Sequence, residues 1–158
     1  MSQLTIRGII GKGLQLASGA REDHLEIPSN VYKDRTILTD ASVGRQMPFF
    51  KEAGVPDIDT MYAGTINLQI APKEISILKP DYTITCEWIP GVKETFWLVS
   101  AMIGFEGEEY RGYVYYPCIS EIHPPNDSVI ELLTEKIPGV EYGKEITVSV
   151  SDTALTFK

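Results

Sequence analysis

Short runs of alternating residues constrain the fold of this chain more than any other sequence feature. β-Branched and aromatic residues dominate these runs, and Gly or Pro separates them, as in β-strands joined by turns. "FEGEEY" predicts a tight hairpin around Glu106-Gly107. The predicted strands span 4–10, 65–70, 82–88, 96–105, 110–117 and 145–150. Because the edges of such a sheet need protection, we predict a mainly β fold, a small closed or partly closed six-stranded-type barrel, with a two-layer sandwich as the alternative.

Two segments predict other elements. "SVIELL" at 128–133 favours a strand, although a single helical turn also fits its pattern. "DASVGRQMPFFKEAGVP" predicts the one helix, with Asp40 or Ser42 as its N-cap and Gly54 as its stop. Pro48 lies inside this helix and predicts that it is short or broken. The polar stretch before it predicts a long insertion after the first hairpin.

Length, charge and cysteine content limit the class of protein. The chain has 158 residues, 43% of them hydrophobic, which is enough for a hydrophobic core. We predict a single domain over residues 1–158. The net charge of −8 argues against nucleic acid or a membrane surface as the main partner. Cys86 and Cys118 have no metal-ligand spacing and are predicted to be small buried residues in a reducing cytoplasm, with a disulfide as the less favoured alternative. No segment approaches the roughly 20 apolar residues of a membrane span.

The strand 65–70 offers a candidate metal site. Its alternation places Thr65 and Asn67 on one face and apolar residues on the other. Hydroxyl and amide oxygens suit Mg²⁺, which takes its remaining ligands from water and phosphates. A polar face of this kind is also typical of an ordinary solvent-exposed strand.

Three other positions carry candidate chemistry. Gly11-Lys12-Gly13 could let backbone amides approach a phosphate, although such a triplet also forms ordinary hairpin turns. Glu131 lies among apolar residues, where a carboxylate is either on the surface side of a strand or functional. His123 precedes two prolines in a loop, where a structural role is the more common one. Neither histidine has the spacing of a catalytic triad.

The order of these motifs resembles the archaeal CTP-dependent riboflavin kinases, a family of small β-barrels of the cradle-loop type. The family pattern has a Gly-rich first hairpin, a G-T-x-N strand, a central hairpin, and a late loop with His before a Glu in an apolar strand. This chain has, in the same order, "RGIIGKG", "YAGTINLQI", "FEGEEYRGYVYYP" and "HPPNDSVIELL", and "VEYGKEITVSV" resembles the closing strand of the family.

The resemblance implies a function and a set of roles. The family transfers the γ-phosphoryl group of CTP to a ribityl hydroxyl of riboflavin, which gives FMN and CDP. By this resemblance Thr65 and Asn67 hold Mg²⁺, residues 11–13 cover the nucleotide, and Glu131 contacts the ribityl or phosphate end of the flavin. His123 belongs to the late loop at the ligand. The expected partners are riboflavin or FMN and a nucleotide.

The chain also departs from the family pattern. Gln15 and Ala17 stand where the family repeats glycine, and bulkier residues restrict the approach of backbone to a phosphate. Glu121 stands where the family usually has a threonine that touches the flavin. The family has a basic loop after its Glu, whereas the corresponding segment of this chain offers only Lys136. The alternative to a kinase is therefore a non-enzymatic flavin- or nucleotide-binding module on the same barrel; the sequence does not predict an oligomeric state.

Overall fold

The structure, a computed structural model, describes residues 2–11, 42–62, 65–119 and 127–158. Within these ranges it has one α-helix, a short 3-10 turn at Ile58–Thr60 and nine strands. The elements are β1 (Gln3–Gly11), α1 (Ser42–Glu52), β2 (Ile66–Gln69), β3 (Ile75–Ile77), β4 (Tyr82–Ile89), β5 (Val92–Phe105), β6 (Glu108–Ile119), β7 (Val129–Thr134), β8 (Glu145–Ser151) and β9 (Leu155–Phe157).

Six antiparallel strands close into a barrel. The sheet order is β4-β5-β6-β7-β2-β1-β8, and a further pairing of β5 with β8 joins the two ends. Strand β4 is an additional strand that pairs with the first part of β5. The predicted six-stranded barrel is therefore confirmed. Closure pairs each barrel strand on both sides, so it removes the edge problem that favoured this architecture.

The alternation of side chains separates two apolar clusters. One cluster fills the barrel, and the other lies on the outer face, beneath α1. In β2, Leu68 is fully buried inside the barrel, whereas Asn67 points outward and is half-buried. The prediction that 65–70 has one apolar and one polar face is thus confirmed. The interior includes Ile6, Ile10, Leu68, Ile70, Val99, Ile103, Val114, Ile130, Leu132, Ile146 and Val148.

Helix α1 ends in a Schellman motif that Gly54 makes possible. Gly54 has a φ of 93°, and the N–H of Val55 donates to the carbonyl of Phe50 at 3.1 Å. Phe50 is fully buried against Phe96, with ring centroids 5.4 Å apart. The helix is short, as predicted, but it is not broken, because its assignment continues through Pro48. It begins at Ser42.

Several local expectations can be compared with the structure. Residues 129–134 form a strand, which resolves the ambiguity of "SVIELL". The predicted hairpin has positive φ angles at Glu106 (49°) and Gly107 (82°), typical of a tight turn. Cys86 is buried, as predicted, whereas Cys118 is only half-buried, and the two form no disulfide. The small sheet of β3 and β9 was not predicted. Among the residues described, no helix has both the length and the apolar character needed to cross a membrane.

Gly8 allows β1 to pass close to β2. A Cβ atom there would lie 2.6 Å from Cγ of Leu68 and 2.8 Å from the backbone oxygen of Gln69. We expect Gly8→Val to lower the free energy of unfolding by about 1–3 kcal/mol, because backbone cannot move aside as a flexible side chain can. Urea denaturation measures the change. Arg7→Val places the same side chain at the exposed neighbouring position and should stay within about 0.5 kcal/mol; equal losses would contradict this account.

Candidate functional site

The candidate site lies on the outer face of the barrel, where four neighbouring strands align. Gly11 of β1 is opposite Asn67 of β2, Asn67 is opposite Glu131 of β7, and Glu131 is opposite Tyr115 of β6. Directly opposite residues of antiparallel strands share a face and have neighbouring side chains. These four residues therefore form a single row, which we call the site row. In the sequence these residues lie far apart, between position 11 and position 131.

Thr65 joins Asn67 and Glu131 at this row. It comes directly before β2, and its Oγ1 donates a hydrogen bond to Oε1 of Glu131 at 3.0 Å. The preceding segment is anchored to β7, since the N–H of Tyr62 donates to the carbonyl of Thr134 at 2.9 Å. Both Thr65 and Glu131 are half-buried. The structure thus brings together the three predicted residues Thr65, Asn67 and Glu131.

The chemistry of these three side chains is compatible with a magnesium ion. A hydroxyl, an amide oxygen and a carboxylate are hard oxygen donors of the kind that Mg²⁺ prefers. The Thr65 hydroxyl uses its proton in the bond to Glu131 and keeps its oxygen lone pairs. In the described part of the chain no group of three or more His, Cys, Asp or Glu residues could hold a metal. A cation held by Thr65 and Asn67 would therefore bind through neutral oxygens beside the Glu131 carboxylate, and would take its other ligands from water and phosphate.

Tyr115 of the site row and its partner Gln46 were not predicted from the sequence. The hydroxyl of Tyr115 donates to Oε1 of Gln46 at 2.7 Å, and Gln46 lies on α1. Gln46 is fully buried, and Tyr115 nearly so. Burial, followed by the charges of Glu131 and Glu94, raises the pKa of Tyr115 well above 10, so the phenol keeps its proton. Sequence patterns did not reveal this pair, because Gln46 resembles a solvent-facing residue of an amphipathic helix.

A separate open cleft of about 440 Å³ lies elsewhere on the barrel wall. Its carboxylates already have protein partners: Asp57 is 3.7 Å from Arg111, and Asp81 accepts the N–H of Ser100 at 2.7 Å. The cleft includes none of the site-row residues. With two carboxylates and one guanidinium it is a poor site for phosphates. We therefore assign no part of the predicted chemistry to it.

The remaining predicted site residues lie outside the described residues. These are Lys12 and Gly13 of the predicted phosphate-binding turn and His123 of the late loop. Their assignments stay predictions. Gly11, at the end of β1, is described and lies at the start of the site row, beside Asn67.

Comparison of the chain with models of known protein families and with curated proteins found no match. The resemblance to riboflavin kinases therefore depends on the order of the sequence motifs and stays a prediction.

The bond between Thr65 and Glu131 can be tested without a ligand. Thr65→Val keeps the shape of the side chain and removes the donor to the carboxylate. We expect it to lower the free energy of unfolding by about 1 kcal/mol in urea denaturation, because a half-buried carboxylate loses one hydrogen bond. Thr65→Ser retains the hydroxyl and is the matched control, with a loss of less than about 0.5 kcal/mol. Equal stability of the two variants would show that the bond contributes nothing to the fold.

Proposed function

We propose that this protein is a Mg²⁺-dependent phosphotransferase that transfers the γ-phosphoryl group of CTP to a hydroxyl of riboflavin, which yields FMN and CDP. The observation that carries the proposal is the arrangement of Thr65, Asn67 and Glu131. Three oxygen-bearing side chains from two regions of the sequence meet on one outer face of a closed barrel. They are the three described residues for which the resemblance to riboflavin kinases implies the metal and acceptor contacts.

The proposed roles follow from the donor atoms of these residues. Thr65 and Asn67 hold Mg²⁺ through the hydroxyl and amide oxygens. Held there, Mg²⁺ would supply positive charge that offsets the phosphate charge during the transfer. Glu131 accepts a hydrogen bond from the attacking hydroxyl of the acceptor and takes its proton as the new P–O bond forms. The bond from the γ-phosphorus to the bridging oxygen breaks, and CDP leaves with the electron pair.

Phosphoryl transfer of this kind needs no nucleophilic side chain. Its rate depends mainly on the position of the two reactants and on the neutralisation of developing charge. This agrees with a site built from a hydroxyl, an amide and a carboxylate. The net charge of −8 fits a small-molecule partner rather than nucleic acid or a membrane. Cys86 and Cys118, which form no disulfide, fit a reducing compartment, and we propose the cytoplasm.

A thermal-shift panel tests the proposed ligands. Mg²⁺, CTP, ATP, GTP, riboflavin and FMN are added singly and in pairs. A ligand at 100 times its dissociation constant adds about 2.7 kcal/mol to the stability of the fold, which corresponds to several degrees. We expect a shift with CTP that requires Mg²⁺, a shift with riboflavin, and production of FMN when all three are present. Binding of flavin without turnover would instead indicate the non-enzymatic binding module, and no shift with any ligand would refute both.

Asn67 is the residue that best separates a metal ligand from an ordinary polar strand position. We expect Asn67→Ala to weaken Mg²⁺-dependent CTP binding by at least about tenfold, equivalent to about 1.4 kcal/mol, because one cation ligand is lost. Isothermal titration calorimetry measures this binding. The melting temperature without ligand is measured as well, because Asn67 is half-buried and a general loss of stability must be separated from the loss of a ligand.

Gln69→Ala is the control for this variant. Gln69 follows Asn67 on the same face of β2 and is exposed. It should leave nucleotide binding within about twofold. If Asn67→Ala unfolds the protein, or if both variants bind CTP equally well, Asn67 is not a metal ligand.

A further inference from the structure

Gln46 carries a buried hydrogen-bond donor that has no partner among the described residues. Its side chain is fully buried, and its Nε2 makes no hydrogen bond within the part of the chain that the structure describes. A buried amide donor without a partner costs about 1–3 kcal/mol. Such a group therefore calls for a partner, which is either a buried water or an atom of a ligand.

The orientation of the Gln46 amide follows from its contact with Tyr115. In the present orientation the phenol donates to Oε1 at 2.7 Å, and Nε2 alone lacks a partner. Exchange of the two amide atoms would direct Nε2 at the phenol oxygen and would remove the bond that the phenol donates to Oε1. The present orientation keeps that bond. Nε2 is therefore the amide atom that can donate to a further partner. It belongs to the same amide group as Oε1, which accepts from the Tyr115 hydroxyl.

The position of this donor is next to the candidate site. Tyr115 is opposite Glu131 in the site row, and Glu131 is in turn bonded to Thr65 and opposite Asn67. The Gln46 amide therefore lies at the end of the row where α1 packs on the sheet. The predicted metal ligands lie beyond Glu131, on the other side of it.

The charges around Tyr115 define the kind of group that Nε2 can bind. Glu131 and Glu94 both act on the Tyr115 phenol, so the local potential is negative. A phosphate or carboxylate oxygen would be repelled there, whereas a neutral carbonyl or hydroxyl oxygen would not. Aromatic rings of Phe50 and Phe96 pack against Tyr115. The negative potential suits a neutral molecule rather than an anion.

From these observations we propose that Gln46 is a specificity-determining residue whose Nε2 donates a hydrogen bond to a neutral oxygen of the acceptor substrate. The inference rests on the proposed function and extends it. It places the acceptor at the α1 end of the site row and the nucleotide with its metal at the Thr65 and Asn67 end. Glu131 lies between them, where the phosphoryl group passes from one to the other.

A pair of variants tests this role, with riboflavin and Mg²⁺-CTP as the probes. Gln46→Met and Tyr115→Phe both remove the hydrogen bond between the two residues, but Gln46→Met alone removes Nε2. We expect Gln46→Met to weaken riboflavin binding, measured by flavin fluorescence, by about tenfold or more. Tyr115→Phe should weaken it by less than about threefold, because the donor remains. Binding of Mg²⁺-CTP, measured by calorimetry, should stay within about twofold for both variants.

The results separate failure of this inference from failure of the proposed function. Riboflavin binding by Gln46→Met that equals that of the unaltered protein would overturn the inference alone, and would assign Nε2 to a buried water. The same holds if Tyr115→Phe and Gln46→Met lose equal affinity, since the effect is then structural. An unaltered protein that binds neither riboflavin nor Mg²⁺-CTP would overturn the proposed function and the inference together.

A second measurement covers a Gln46→Met variant that does not fold. In the unaltered ¹⁵N-labelled protein, the side-chain amide signals of Gln46 can be followed by NMR during a titration. They should shift when riboflavin is added and stay in place when Mg²⁺-CTP is added. Signals that riboflavin leaves unchanged would overturn the inference.

Discussion

The pairing of β5 with β8 closes the barrel, and the rest of the structure depends on this closure. Strand β5 pairs with β4 at its start, with β6 along most of its length and with β8 at Met102–Gly104. Gly104 lets β8 approach, since a Cβ there would lie 2.4 Å from Oγ1 of Thr147. Once the ladder is closed, each barrel strand has partners on both sides and the registers of all six are linked. A slip in one register would turn its apolar residues away from the interior.

Closure also determines where a ligand can bind. Apolar side chains fill the interior, so the polar positions of β2 and β7 face outward. Asn67 and Glu131 meet because their strands are neighbours, although 64 positions separate them in the sequence. Helix α1 packs on the same outer face and adds Gln46 beside Tyr115. The candidate site is thus a surface between the sheet and one helix, an arrangement that agrees with the proposed transfer between two substrates.

The predictions were confirmed where a few adjacent residues determine the local structure. The alternation in 65–70 was enough to place Thr65 and Asn67 on the polar face. The strands β3 and β9 were not predicted, because three residues are too few to show the alternation of a strand. Gln46 was missed for a different reason. A polar residue on a helix is normally solvent-facing, and only its packing against Tyr115 shows that it is buried.

The sequence by itself determined the β class, the two faces of the strands, the hairpin at Glu106-Gly107 and the end of the helix at Gly54. These features depend on the conformational preferences of a few adjacent residues, which are present in any local segment. The tertiary structure alone decided the strand order, the bond from Thr65 to Glu131 and the burial of Gln46. These features depend on how strands distant in sequence pair with one another. The register of such pairs is determined only in the folded barrel.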